Sequence, residues 1–192
     1  MKKSLVAGIL LALSFSSMAF ADSLGVTYSM VQDNGVGAVN KGVWELNGSH
    51  DLISNVALTG KGILINSHNL DGYGVGLEVG SKVKYFSTAD KSTWNPWVQP
   101  ALTYTDRETG VSSLGYVVDG GVDFLVGDFT LTPAASYSNS FRSSDNSSKY
   151  TAGVTVAYPL TASLELNGRV RHEWNDTGLD SNRVYGGVAY KF

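Results

Sequence analysis

The chain has 192 residues, 16% of them charged and 43% hydrophobic, with 22 glycines, no cysteine and a formal net charge of −3. An ordinary soluble domain carries roughly 25% charged residues, and the mild acidity excludes the basic footprint of a nucleic-acid partner. Without cysteine there are no disulfides, no thiolate metal sites and no lipid-accepting cysteine.

The chain opens on Lys2 and Lys3, an apolar run from Leu5 to Phe15, and Ala19-Phe20-Ala21. This is the order of a secretory signal peptide, with Ala19 and Ala21 as the small residues of its cleavage site. The run is too short to span a bilayer, which takes roughly 20 residues. Residues 1–21 are therefore read as a cleaved signal and 22–192 as one domain. Taking two lysines from the 14 basic residues leaves 12 against 17 acidic ones, a net of about −5.

Beyond residue 21 the hydrophobic pattern has period two nearly everywhere, and no stretch is long and apolar enough for a membrane helix. Strands are expected over 24–32, with Leu24, Val26, Tyr28 and Met30 on one face, then over 42–50 and 55–66. The next runs over 74–86, with Val75, Leu77, Val79, Val83 and Tyr85 together. Further strands follow over 96–106, 113–126, 128–140, 149–158, 162–174 and 183–192, about ten in all. Eight is the alternative, reached if 24–32 or 55–66 pairs differently. The weak joint of the ten-strand reading is 87–95, nine residues where a short turn is expected.

Two hairpins can be set in register. Gly127-Asp128 is a two-residue turn with Gly first, as type II′ prefers, and it makes Val126 and Phe129 neighbours. Pro159-Leu160-Thr161 is read as a three-residue turn pairing Tyr158 with Ala162. Pro159 is tolerable at a strand end, where its missing N–H breaks no ladder. Segments 33–41, 67–72, 107–112, 141–148 and 175–182 are rich in Asn, Asp, Ser and Gly and read as the longer loops at the other end.

Alternation alone does not say which face meets lipid. The second face is mostly Gly, Ser, Thr and Ala (Gly76, Gly80, Gly121, Gly153, Thr155, Ser136, Ser138), which suits a narrow lumen better than a solvated surface. Aromatics bracket the aliphatics of the first face: Tyr116 and Phe124 around Val118 and Val122, Tyr150 and Tyr158 around Val154 and Val156, with Trp174 and Tyr190 near opposite rims. Such girdles form because amphipathic rings settle at the headgroup level. The fold class read here is all-β, an antiparallel up-and-down transmembrane β-barrel whose closure removes the sheet edges that lipid would leave unsatisfied.

With its Ala19-Phe20-Ala21 signal site, alternating strands and Val188-x-Tyr190-x-Phe192 ending, the chain resembles small Gram-negative outer-membrane barrels of the OmpA/OmpX kind. The resemblance implies a cell-outer-membrane location. It also implies that Val188, Tyr190 and Phe192 form the signal read by the barrel-assembly machinery, with periplasmic chaperones and outer-membrane lipid as the other partners. It specifies a class and not an activity.

The inner parity carries charge. On 162–174 it reads Ser163, Glu165, Asn167, Arg169, Arg171, Glu173, and elsewhere it holds Glu45, Lys61, Glu78, Lys82, Lys84, Asp119 and Asp123. Arg or Lys would cost about 2–4 kcal/mol facing midplane lipid, so six acids and five bases are expected in the lumen. The expected role is a salt-bridged plug that fixes register; the alternative is a narrow, porin-like channel for a small polar solute. Near-balanced signs weigh against strong ion selectivity.

Catalysis leaves little trace. Ser49-His50 and Ser67-His68 invite comparison with rim hydrolases, but adjacent strand residues point to opposite faces, so Ser49 and His50 form no dyad. His172 falls at another rim. Gly74-Val-Gly76-Leu-Glu-Val-Gly80 has one residue too many for a dinucleotide fingerprint and lies within a strand, so its glycines read as small lumen-facing positions. Asp33-Asn34-Gly35 and Asp71-Gly72 read as turns, and Trp94 and Trp97 as interfacial anchors of a strand end. No cofactor or metal is expected, and no enzyme activity.

Overall fold

The computed structural model describes residues 22–33, 40–67, 72–86, 93–107, 112–141, 148–176 and 180–192. The expected signal segment 1–21, including Ala19 and Ala21, lies outside them, as do His68 and the turn residues Asn34, Gly35 and Asp71. Ten strands are formed: β1 (Ser23–Asp33), β2 (Asn40–Ile53), β3 (Val56–Ser67), β4 (Gly72–Lys84), β5 (Trp94–Arg107), β6 (Ser112–Val126), β7 (Phe129–Ser140), β8 (Lys149–Pro159), β9 (Leu164–Asn175) and β10 (Asp180–Lys191). Each pairs antiparallel with its sequence neighbours, and β10 returns to pair with β1, so the sheet is a closed barrel. The count is ten, not eight.

Local chemistry fixes the turns at the end where β1 begins and β10 ends. Gly127 has φ +61° and is the only described residue with positive φ, as the first position of a type II′ turn requires, and Val126 pairs with Phe129. Asn95 bridges the long connector after β4: Phe86 N donates to its Oδ1 at 3.1 Å, and its Nδ2 donates to Phe86 O at 3.0 Å. This side-chain clamp supplies what the sequence pattern lacked at 87–95.

The β8–β9 turn corrects the sequence reading. Tyr158 pairs with Leu166, not Ala162, and Pro159 with Glu165. Leu160 N and Thr161 N donate to Leu164 O, while Thr161 Oγ1 accepts from Ser163 N at 3.2 Å and Leu164 N at 3.0 Å. A hydroxyl that caps its own turn favours the wider loop. The shift is even, so every side chain keeps its expected face.

Two of the prolines within strands, Pro100 and Pro133, mark the ladder. Pairing of β4 with β5 skips from Gly80↔Ala101 to Val83↔Val98, next to Pro100, and pairing of β6 with β7 skips from Gly121↔Ala134 to Phe124↔Leu131, next to Pro133. Proline has no N–H to donate. Both ladders resume in the same register beyond the gap.

The outer face is apolar and exposed: Met30, Leu64, Leu102, Val118, Val154, Val156, Val170, Val184 and Val188 all project from the wall. Apolar surface this extensive is expected only where lipid covers it. Aromatics contact one another in two belts. Toward the loops lie Tyr28–Trp44 (ring centroids 4.8 Å), Tyr137–Tyr150 (5.2 Å) and Tyr150–Trp174 (6.4 Å). Toward the termini lie Phe86–Trp94 (5.3 Å), Phe129–Tyr158 (4.9 Å) and Tyr190–Phe192 (5.0 Å). Val188, Tyr190 and Phe192 are all exposed on this outer face.

Two outcomes check this arrangement. Cysteines replacing Val118, Val122, Val154 or Val156 are expected to label from within the bilayer, whereas cysteines at Asp119 and Asp123 should not; the reverse pattern would turn the barrel inside out. Gly127→Ala should destabilise by about 1 kcal/mol through backbone strain alone, because a Cβ there meets nothing within 4 Å. Unfolding in urea would measure it.

Candidate lumen site

Parity along each strand sends one set of side chains inward, and their sizes divide the lumen in two. The half nearer the termini encloses a cavity of about 680 Å³. Glu78, Lys82, Lys84, Asp119, Asp123, Glu165, Arg169 and Arg171 all line it, together with Glu45 and Lys61. Glu173 lies beyond the cavity, nearer the loops.

The half nearer the loops carries buried inward side chains. Val31, Val43 and Tyr185 are only 3%, 2% and 4% exposed, Ser29 is fully buried, and Val117 is buried on β6. On β3 and β4 the fit is a size exchange. Ile63 pairs with Gly76 and Ile65 with Gly74, and a Cβ on Gly76 would stand 3.2 Å from Ile63 Cβ. The glycine run noted in the sequence therefore makes room for two inward isoleucines.

Beside this apolar packing stands one carboxylate with three cations. Glu173 Oε2 accepts from Arg183 Nη2 at 2.7 Å and Lys149 Nζ at 3.4 Å, and Arg171 Nε lies 3.8 Å from Oε1. Arg171 Nη2 also donates to Ser136 Oγ at 2.9 Å, and Ser136 is hydrogen-bonded to Thr151. Lower down, Lys61 Nζ meets Glu78 Oε2 at 2.9 Å. Lys82 lies 3.6 Å from Asp123 Oδ2 and 4.1 Å from the Trp97 ring centroid, and Asp123 accepts from Trp97 Nε1 at 3.0 Å and Thr132 Oγ1 at 2.8 Å. Lys191 and Glu165 pair at 2.9 Å near the mouth.

Arg169 is held differently. Its Nε donates to Thr155 Oγ1 at 2.9 Å and its guanidinium lies 5.4 Å from the Tyr185 ring centroid, with no carboxylate in ion-pair contact among the described residues. Thus the structure brings Glu173 to Arg171 and Lys82 to Asp123 but, among the described residues, leaves Arg169 and Lys84 outside the ion pairs.

Several inward residues escaped the sequence reading. Lys149 shares the parity of Thr151 and Thr155, but it opens its strand, where the pattern has no preceding member. Trp97 was expected to anchor the interface; it points into the lumen because β5 alternates around outward Val98, so parity overrides residue type. Val31, Val43 and Val117 were hidden by the expectation of a polar inner face, and Val117-Val118 conceals its own alternation. The described histidines form no catalytic pair: His50 Nδ1 lies 3.2 Å from Asp22 Oδ2, and His172 Nδ1 lies 2.8 Å from Asn182 Oδ1.

No family profile and no curated protein matches the sequence. In structure the chain is similar to an outer-membrane channel from Pseudomonas putida F1, at 10% identity and TM-score 0.58, over 90% of this chain and 96% of that one. The fold is that of an outer-membrane β-barrel. The translocator domain of the autotransporter NalP from Neisseria meningitidis is also similar, at 10% identity and TM-score 0.50, covering all of this chain and 96% of that one. A channel and a translocator share the wall, so the wall alone selects neither job.

Removing the hub carboxylate should be costly, because three cations lose their common partner. Glu173→Gln is expected to destabilise the barrel by about 3 kcal/mol, read from urea unfolding of the refolded protein. Glu165→Gln, whose partner Lys191 is 54% exposed, should cost under about 1 kcal/mol.

Proposed function

We propose that this protein is an integral outer-membrane barrel with a structural or interaction role, its lumen held shut on the loop side. The observation carrying this reading is the loop-side half, where Val31, Val43, Val117 and Tyr185 are buried inside the wall and Glu173 holds its ion cluster. A carboxylate gripped by cations from β8, β9 and β10 ties those strands together in register, much as a plug would. Outer-membrane lipid covers the apolar wall, and Val188, Tyr190 and Phe192 present the assembly machinery and periplasmic chaperones with an exposed apolar strand ending. We assign no catalytic role: His50 and His172 are engaged at the rims by Asp22 and Asn182, and neither is joined to a nucleophile among the described residues.

A second reading, a narrow conduit for a small polar solute, draws on the polar cavity and on the similarity to the Pseudomonas channel. Conductance separates the two. The refolded protein in a planar bilayer is expected to show no steady current, and Val31→Gly combined with Val43→Gly to admit one. Steady conductance of the parent protein would overturn the closed reading in favour of the conduit.

A further inference from the structure

Six bases and five acids line the cavity, so its charge is nearly balanced. Their placement around the wall is uneven. Toward the terminal end the pairs are local, Lys82 with Asp123 and Lys191 with Glu165, with Lys84 beside them. The other six stand deeper: Glu45, Lys61, Glu78, Asp119, Arg169 and Arg171. These are three of each sign, yet the signs are segregated. Both arginines are on β9, whereas the acids are on β2, β4 and β6.

The registers set the two groups at one height. From Arg171 the pairing leads through Arg183, Val31, Lys41 and Ser67 to Gly72. The other way it leads through Gly153, Ala134, Gly121 and Trp97 to Lys84. β4 and β9 are five strands apart in either direction around the ring. The β4 residue level with Arg171 therefore lies midway between Gly72 and Lys84, and that residue is Glu78. Arg169, one inward position nearer the termini, is level with Gly80, where β4 carries no side chain. Lys61 meets Glu78 at 2.9 Å and lies within Coulombic range of Glu45 and Asp119, so three acids gather around one lysine. Across the lumen, Asp119 is within the same range of Arg171, and Glu45 of Arg183.

Two groups at this height have capacity to spare. Glu45 is only 7% exposed and lines the cavity, and its carboxylate makes no hydrogen bond or ion pair among the described residues. A carboxylate so enclosed is costly unless a donor meets it. Arg169 gives its Nε to Thr155 and one face to the Tyr185 ring, which leaves its Nη atoms as donors. Glu45 and Arg169 stand three strands apart across a chord of the lumen. Walls of opposite sign orient a solute that carries both signs, and favour neither a lone anion nor a lone cation.

We propose that the middle of the cavity binds a small zwitterion of the amino-acid class, its carboxylate on Arg169 and its ammonium toward Glu45 and Asp119. A volume of about 680 Å³ holds such a solute with its water. The site does not depend on whether the lumen conducts, so steady conductance would overturn the closed reading alone.

The test uses the refolded full barrel in neutral detergent, titrated calorimetrically with 4-aminobutanoate and, separately, serine, which differ in charge separation. Saturable binding of at least one is expected, with butanoate and butylamine, each carrying a single charge, binding at least about tenfold more weakly. Arg169→Gln and Glu45→Gln should each weaken zwitterion binding about tenfold, and Arg169→Lys should retain more affinity than Arg169→Gln. Glu165→Gln, which alters the pair near the mouth, should leave it unchanged. Heat-modifiable gel migration confirms that each variant is folded, and the single-charge comparison on the parent protein needs no variant. The proposal is overturned if neither zwitterion binds saturably, if butanoate or butylamine binds as tightly, or if Arg169→Gln and Glu45→Gln both keep the parent affinity.

Discussion

Hydrocarbon offers no partner to a peptide N–H or C=O, and every other property of this protein follows from that constraint. A ten-strand sheet has two edges, and both vanish when β10 lies along β1 from Ser23↔Lys191 to Asp33↔Ser181. The last residue takes part: Phe192 N donates to Asp22 O at 3.0 Å. Because closure is made by main chain alone, side chains are free to differ completely on the two faces. The outer one is committed to lipid, and the inner one carries whatever distinguishes this barrel from others.

Inside, size and charge divide the work. Inward valines and isoleucines lie in the loop-side half, the isoleucines accommodated by glycines on the next strand, and a carboxylate shared among three cations stands in the same half. In a medium of low dielectric such a cluster tolerates no missing member, since each charge depends on the others for solvation. The half nearer the termini has smaller residues lining it, Thr59, Gly60, Ala134 and Ala157 among them, and so stays open. One strand period thus produces a bulky, charged half and an open chamber from the same wall.

Much of this was legible in the sequence because a strand has only two faces. Once Val118 and Val154 were set outward, Asp119, Arg169 and Glu173 had to point inward. What stayed hidden depends on pairs of strands. Whether Ile63 can be buried is decided by Gly76, thirteen positions away, and whether Arg169 has an acid beside it is decided by residues on other staves. Turn length was readable at Gly127, whose positive φ only glycine adopts freely, but not at Pro159–Leu164, where a threonine hydroxyl makes the wider loop self-sufficient. Trp97 shows the limit of residue type as a guide: an aromatic suited to the interface serves inside as a lid over Lys82.

The interruptions beside Pro100 and Pro133 give the wall a mechanical grain. They fall on the two seams that flank β5 and β6, so this pair forms a panel whose internal ladder is nearly continuous and whose outer seams each lack rungs. The panel is therefore joined to its neighbours by interrupted ladders on both sides, and its inner face, with Gln99, Asp119 and Asp123, is a wall of the cavity.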